Sequence, residues 1–278
     1  MSADTRRLRE DEPPATPAAP LPSPEPRQRW RIVFKRAVAG HERTHREIVD
    51  EWSAAITRTG LPMAISDRSR PKPALTFAAP LPIRVAVERD LADLVLRQRL
   101  PVARVRSALV ESLPAGFELV DVYDVWLGTP PLAASVAAAD YRIEVERGSL
   151  AVEEVGRACK RVLAAGSLLR NRPKGASLVR YDLRPLVDSI ALDESTHADG
   201  LIVRTRTRFD PERGAGRPEE VIGALADDLG QPLEIRGIVR ERVLLAEDVG
   251  GNVVGGNVVG GHAVGGHVVG GHVVGGHV

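Results

Sequence analysis

Between residues 29 and 245 the chain runs twice through one order of hydrophobic periodicities, and no other feature restricts its fold as tightly. Apolar residues every three to four positions mark a helix, and strict alternation marks a half-buried strand. In the first pass, residues 31–38 read as a strand. Residues 44–59 carry Ile48, Val49, Trp52, Ala55 and Ile56 at helical spacing, and Gly60 stops them. Strands are predicted at 74–79 and 83–96, a helix at 101–113 with Val102, Val105, Leu109 and Val110 inward, and a strand at 117–126. A connector rich in Pro and Ala, 127–139, separates this pass from the next. The second pass predicts a strand at 140–146, a helix at 151–165, strands at 177–184 and 201–209, a helix at 218–229 opened by Pro218, and a last strand within 232–245. The order β-α-β-β-α-β, met twice, predicts an α+β protein of two tandem ferredoxin-like units, 29–126 and 140–248, each with an antiparallel sheet and helices on one face.

The two ends stand outside that pattern. Residues 1–28 hold seven prolines and almost no large apolar side chain, so they read as a disordered leader. No continuous apolar run follows the Arg6-Arg7-Leu8-Arg9 cluster, which argues against a signal peptide, and no segment has the length of a membrane span. Residues 249–278 repeat GGNVV and then GGHVV, a low-complexity tail. Its His262, His267, His272 and His277 recur every fifth residue, share no face of a regular element, and are weak metal-ligand candidates against a merely tolerated repeat. The single cysteine, Cys159, excludes an internal disulfide and suits a reducing cytoplasm. With a net charge of +1, bulk charge gives no reason for a polyanion partner, so any such case rests on where charges are placed.

Three placements matter. The stretch from Gly60 to Val85 contains a basic turn with Arg68, Arg70 and Lys72, stiffened by Pro71 and Pro73, which reads either as a contact loop or as a solvated hairpin tip. In the second unit, Tyr141, Ile143, Val145, Val179, Tyr181, Leu183, Leu201 and Val203 share one parity and should face the helices. The other parity carries Arg142, Arg180, Arg184, Arg204, Arg206, Arg208, Arg236, Arg240 and Arg242. Such a face binds phosphates or RNA, although exposed aromatics for stacking are not evident on it. The competing reading is a salt-bridged face packed on a partner or on the first unit. His45, followed by Glu47 at the start of the first helix, is the best titratable candidate for acid–base work, with helix capping as the alternative. No phosphate-binding glycine loop, nucleophile elbow or spaced metal motif occurs in the folded region.

Several separated motifs resemble a known family. Thr44-His45-Arg46-Glu47, Thr57-Arg58-Thr59-Gly60-Leu61-Pro62, Ser69-Arg70-Pro71-Lys72-Pro73, Phe77-Ala78-Ala79-Pro80-Leu81-Pro82-Ile83-Arg84-Val85 and Tyr181-Asp182-Leu183-Arg184-Pro185-Leu186 stand in the order found in the uncharacterised radical-SAM-linked domain family. That domain is fused to, or encoded beside, a cobalamin-binding-type radical-SAM protein. The basic loop here departs from the family pattern in lacking Gly-Phe-Asn, and Arg84 stands where the family usually has Gly. The resemblance implies no cofactor in this chain. It implies a partner enzyme with an iron–sulfur cluster and S-adenosylmethionine, with cobalamin as a further candidate, and neighbours linked to RNA metabolism. The expected function is an accessory module that holds or presents the partner's substrate, with RNA as the candidate substrate and His45, Arg70, Lys72 and Arg184 in contact. The alternatives are an autonomous RNA-processing or hydrolytic enzyme using His45, and a protein–protein adaptor without nucleic-acid binding. Oligomeric state is open.

Overall fold

The capping signal at the first helix is realised in full. Thr44 accepts from the Glu47 backbone N–H at 3.4 Å, and the Glu47 carboxylate accepts from the Thr44 N–H at 2.7 Å. Gly60 ends the helix with φ +69°, a conformation glycine adopts without steric cost. The computed structural model describes residues 27–37, 42–65, 71–174, 177–193 and 200–250. The leader before residue 27, His41, Arg68, Arg70, His197 and the tail histidines lie outside the described residues.

The first half forms β1 (Gln28–Arg36), α1 (His45–Arg58), β2 (Leu75–Phe77), β3 (Val85–Leu96), α2 (Val102–Ser112) and β4 (Phe117–Val125). A short helix α3 (Leu132–Ser135) lies in the expected connector, and β5 (Val136–Glu146) starts four residues before the predicted Asp140. Then come α4 (Val152–Ala164), β6 (Leu169–Lys174), β7 (Ser177–Asp182), a 3-10 turn at Arg184–Leu186, β8 (Val187–Leu192), β9 (Gly200–Asp210), β10 (Gly214–Ala215), α5 (Pro218–Leu229), β11 (Ile235–Leu245) and α6 (Ala246–Gly250). Among the described residues, no helix is long and apolar enough to cross a membrane.

The strands make a mixed α+β architecture built on one nine-stranded, mostly antiparallel sheet. Its path runs β10-β9-β5-β11-β3-β1-β4, with β2 also beside β3 and β8 beside β9. Two separate sheets were expected. They are continuous because β11 has two partners: it runs antiparallel to β5 along its length and parallel to β3, with Ile238, Val239 and Arg240 beside Val85, Ala86 and Val87. Two apolar cores lie on the same face of this sheet. In one, Ile48, Trp52 and Ile56 of α1 and Val105 and Leu109 of α2 pack on Ile32, Phe34, Leu94 and Leu96. Phe34 meets Trp52 edge-on with ring centroids 4.9 Å apart. In the other, Val155, Cys159 and Val162 of α4 and Val221, Ile222 and Leu225 of α5 pack on Ile143, Val145, Leu201 and Val203.

The strand predicted at 177–184 does not enter the sheet. β7 pairs with β6 in a separate two-stranded ribbon, and β8, between the two predicted strands, takes the place beside β9. Proline explains the change, since Pro185 has no N–H for a ladder and starts a turn instead. Leu183 and Leu186, both fully buried, anchor that turn in the core, and the chain re-enters the sheet at Val187. Arg180 and Arg184 therefore leave the predicted arginine face.

Arg84, the residue that replaces the expected glycine, has φ +60°. An L side chain in this region costs about 1–2 kcal/mol. Its ion pair with Glu42 joins two exposed side chains and contributes little against that cost. Arg84→Gly should therefore raise stability by about 0.5–1 kcal/mol after the added unfolded-chain entropy of glycine, and Arg84→Val should lower it. Chemical denaturation of the two variants beside the parent chain tests the pair of signs.

Candidate functional site at the junction of the two halves

Four side chains form a row across the four central strands. Arg36 of β1 lies beside Val87 of β3, Val87 beside Arg240 of β11, and Arg240 beside Tyr141 of β5. Two bulges place charge in this row. Phe34 pairs with Asp90 and Arg36 with Val87, so β3 has one residue more than β1 across that step, and both Val87 and Asp90 turn to the helix-covered face. Likewise Arg240 pairs with Tyr141 and Arg242 with Asp140, so β11 carries an extra residue at Glu241. Alternation alone puts Arg240 on the open face. The bulge turns it inward, where it is 1% exposed.

The buried group is tied together by hydrogen bonds. Arg240 Nη2 donates to Asp90 Oδ2 and Arg240 Nη1 to the Pro80 carbonyl at 3.1 Å, with Tyr141 beside Arg240 on the neighbouring strand. Arg36 Nη2 donates to the carbonyls of Pro82, at 2.7 Å, and Val85. His45, half-buried at the start of α1, accepts the Leu81 N–H on Nδ1 at 3.3 Å and sets its ring edge-on to Phe77. The Pro80-Leu81-Pro82 loop is thus held by side chains from β1, β11 and α1.

Its charge balance is uneven. Two buried guanidiniums face one buried carboxylate, and Arg36 Nε, Arg36 Nη1 and Arg240 Nε are buried without an acceptor. Burial first, and then the neighbouring Arg240, brings the Arg36 pKa down to about 10. Burial also opposes charge on Arg240, yet Asp90 and Tyr141 hold its pKa above the ordinary arginine value. Burial, followed by Arg240, lowers His45 below 6.5, so near neutral pH it is uncharged. Because its Nδ1 accepts, its proton sits on Nε2. Buried N–H groups without acceptors are rare in folded proteins; an oxygen from water or from a bound anion satisfies them, and a carboxylate or phosphate also suits the excess positive charge.

The other predicted residues lie elsewhere. Glu47 is engaged in the helix cap, and Lys72 pairs with Asp50 on the surface. Arg180 is exposed on the ribbon, while Arg184 Nη1 donates to the Val187 carbonyl at 2.7 Å. Arg204 and Arg206 do lie on the open face, but each is neutralised: Arg204 by Asp193 and Glu241, both at 2.5 Å, and Arg206 by Asp140 at 2.6 Å. Arg142, Arg208, Arg236 and Arg242 pair with Glu88, Asp188, Glu146 and Asp140 in the same way. That face is a ladder of ion pairs rather than an arginine patch. Sequence reasoning puts Arg240 on the open arginine face and does not single out Asp90, Arg36 or Tyr141 as site residues. The readable signal was a break in alternation, at Glu88-Arg89 in β3 and at Arg240-Glu241-Arg242 in β11. Among the described residues, no group of three or more His, Cys, Asp or Glu is placed to hold a metal ion.

These features define an α+β protein with a buried, cation-rich polar cluster where its two halves meet. The chain belongs to the family described as "Uncharacterized protein conserved in bacteria (DUF2344)", which matches residues 29–211. No curated protein matches it. Similar solved structures include a Cbf5-Nop10-Gar1 complex, at 11% identity and TM-score 0.45 over 77% of this chain and 48% of that one. The archaeal box H/ACA sRNP Nop10-Cbf5 complex follows at 13% identity and TM-score 0.42, over 77% and 47%. An H/ACA RNP bound to a substrate RNA containing 2'-deoxyuridine has 12% identity and TM-score 0.41, over 76% and 47%. The chain spans about half the length of these structures.

Removing the carboxylate that neutralises Arg240 leaves two buried cations without a counter-charge, so Asp90→Ala should cost about 3–5 kcal/mol of stability. Arg208→Ala, which breaks a pair exposed on the arginine side, should cost less than about 1 kcal/mol. Urea unfolding of both variants checks the contrast. For His45 the sign follows from its lowered pKa: the unfolded chain takes up a proton near pH 6.5, and the folded chain only at lower pH. Stability should therefore fall as pH drops below about 6.5. Thermal melts of the parent chain and His45→Gln from pH 8 downward should show a shallower loss in the variant.

Proposed function

We propose that this protein is a substrate-holding accessory module for a separate radical-SAM enzyme, that RNA is the substrate it holds, and that the buried cluster takes an anionic oxygen of that substrate. The observation that carries this reading is the set of three buried guanidinium nitrogens without acceptors, beside a neutral His45. A phosphate oxygen would satisfy them with charge-assisted hydrogen bonds. The motifs that resemble the radical-SAM-linked family support the same reading, because two of them, the His45 segment and the Phe77–Val85 loop, contact each other here through His45 and Leu81. Sequestering His45 under the loop favours binding over an autonomous hydrolase, since its Nδ1 is already occupied by a backbone N–H.

The strand orders support reading the halves as duplicated ferredoxin-like units. The first half runs β4-β1-β3-β2 and the second β11-β5-β9-β8, the same order by position in each half. The units are then joined edge to edge by β11, and the buried cluster is the product of that joining. The unpaired, buried Cys159 fits operation in the cytoplasm.

Binding of bulk cellular RNA to the full chain across a salt series tests the reading. Salt-sensitive affinity is expected, weakened about tenfold by Arg36→Lys, which loses the guanidinium fork, and by His45→Gln. Arg204→Ala/Arg206→Ala should change it by less than about threefold, because those arginines are already paired. No binding at low salt removes RNA as the substrate. Failure to co-purify with a cobalamin-type radical-SAM protein removes the partner.

A further inference from the structure

A concavity lies on the face of the sheet opposite α1 and α2. It encloses about 500 Å3 between the end of β4, the loop that follows and α6, within the range of small-molecule sites. Its wall carries the most exposed large hydrophobic side chain among the described residues, Trp126, at 78% exposure, whereas Trp30 and Trp52 are buried. Burying an indole stabilises a fold by roughly 2–3 kcal/mol or more, so leaving one in water gives nothing to folding.

The indole is held in place although it is exposed. It lies directly over Gly128, where an added Cβ would come within 2.5 Å of the ring. The loop beneath it is pinned from β1: Arg29 donates from Nη1 to the Thr129 carbonyl at 3.1 Å and hydroxyl at 3.0 Å, and from Nη2 to the Leu127 carbonyl at 3.1 Å. A ring fixed before its partner arrives loses little entropy on stacking.

The surroundings select what can stack. Tyr123 is 38% exposed, and burial raises its pKa, which keeps the phenol neutral beside Arg31. Arg31 is neutralised by Asp93 through bonds of 2.9 and 3.1 Å. The remaining charged group on the wall is the carboxylate of Glu247, accompanied by the hydroxyls of Thr129 and Ser135; the Asp124 side chain turns to the helix-covered face, where it accepts from Gln28 Nε2 at 3.1 Å. With Arg31 neutralised, Glu247 is, among the described residues, the one charge on this wall without a counter-charge on it, so the wall disfavours phosphate and favours a planar ring bearing an N–H donor.

We propose that this cavity is a stacking site for an amino-substituted nucleobase, with the ring on Trp126 and its exocyclic amine facing the Glu247 carboxylate. The site is separate from the buried cluster and does not depend on the anion reading. Because Trp126 is the exposed indole, its emission reports occupancy directly. Adenosine added to the full chain should quench that emission saturably. Uridine, which lacks the amine, should bind at least about fivefold more weakly, and adenosine monophosphate more weakly than adenosine. Equilibrium dialysis should show adenosine binding lost in Trp126→Ala and retained in part in Trp126→Phe, with unchanged circular dichroism in both variants. Absence of adenosine binding, equal binding by Trp126→Ala, or equal affinity for uridine overturns the proposal. Failure of acrylamide to quench Trp126 in the unliganded chain also overturns it, because the cavity is then covered by the protein itself. The adenosine arms carry no phosphate, so failure here leaves the RNA-binding result standing, and the reverse also holds.

Discussion

The fold depends on a buried ion pair between residues 150 positions apart, Asp90 of β3 and Arg240 of β11. In a low-dielectric interior neither charge is tolerable alone, so each half of the chain carries a polar group that only the other half can satisfy. The pair sits where the two apolar cores meet, and it fixes the register in which β11 can lie against β3. It also organises what surrounds it. Arg36 and Arg240 together take the carbonyls of Pro80, Pro82 and Val85, so the proline loop is shaped by the same charges that join the halves.

Much of this fold was legible in the sequence, and the failures have specific causes. The two long helices of each half, the cap at Thr44, the stop at Gly60 and the span of α5 follow from local periodicity and termination chemistry, which tertiary context seldom overrides. Strand alternation is more fragile, because one inserted residue reverses every assignment beyond it. That is why Arg240 was assigned to the open face although it lies in the core. The ribbon of β6 and β7 was misread for another reason, since its alternating Leu178 and Arg180 resemble a sheet strand while Pro185 cuts the run off from the sheet. His45 was recognisable as a candidate, but its partners are distant in sequence and meet it only through the bulged strands.

The open face shows how composition can mislead when only one sign is followed. Its arginines are matched by Glu88, Asp140, Glu146, Asp188, Asp193 and Glu241, several of which fall on strands whose pairing could not be known in advance. Asp140 alone serves both Arg206 and Arg242. A face neutralised in this way has little long-range pull on a polyanion, so affinity for a charged ligand has to come from local geometry. The two sites proposed meet that condition in opposite ways, one with excess positive charge buried under a loop and one with the Glu247 carboxylate beside a fixed indole.

The parallel contact of β11 with β3 also governs the order in which the chain can be completed during synthesis. β11 follows every other strand of the sheet, yet it fills the middle of the sheet rather than an edge. While residues 238–240 remain in the ribosome, the Val85–Val87 edge of β3 is unpaired, Asp90 has no counter-charge from Arg240, and β5 lacks one neighbour. The amino-terminal half therefore emerges as an unfinished template with an open backbone edge, the kind of surface that pairs with other chains. Closure of the whole sheet waits on one late strand, so the non-local pairing of β11 with β3 comes last when the chain folds as it is synthesised.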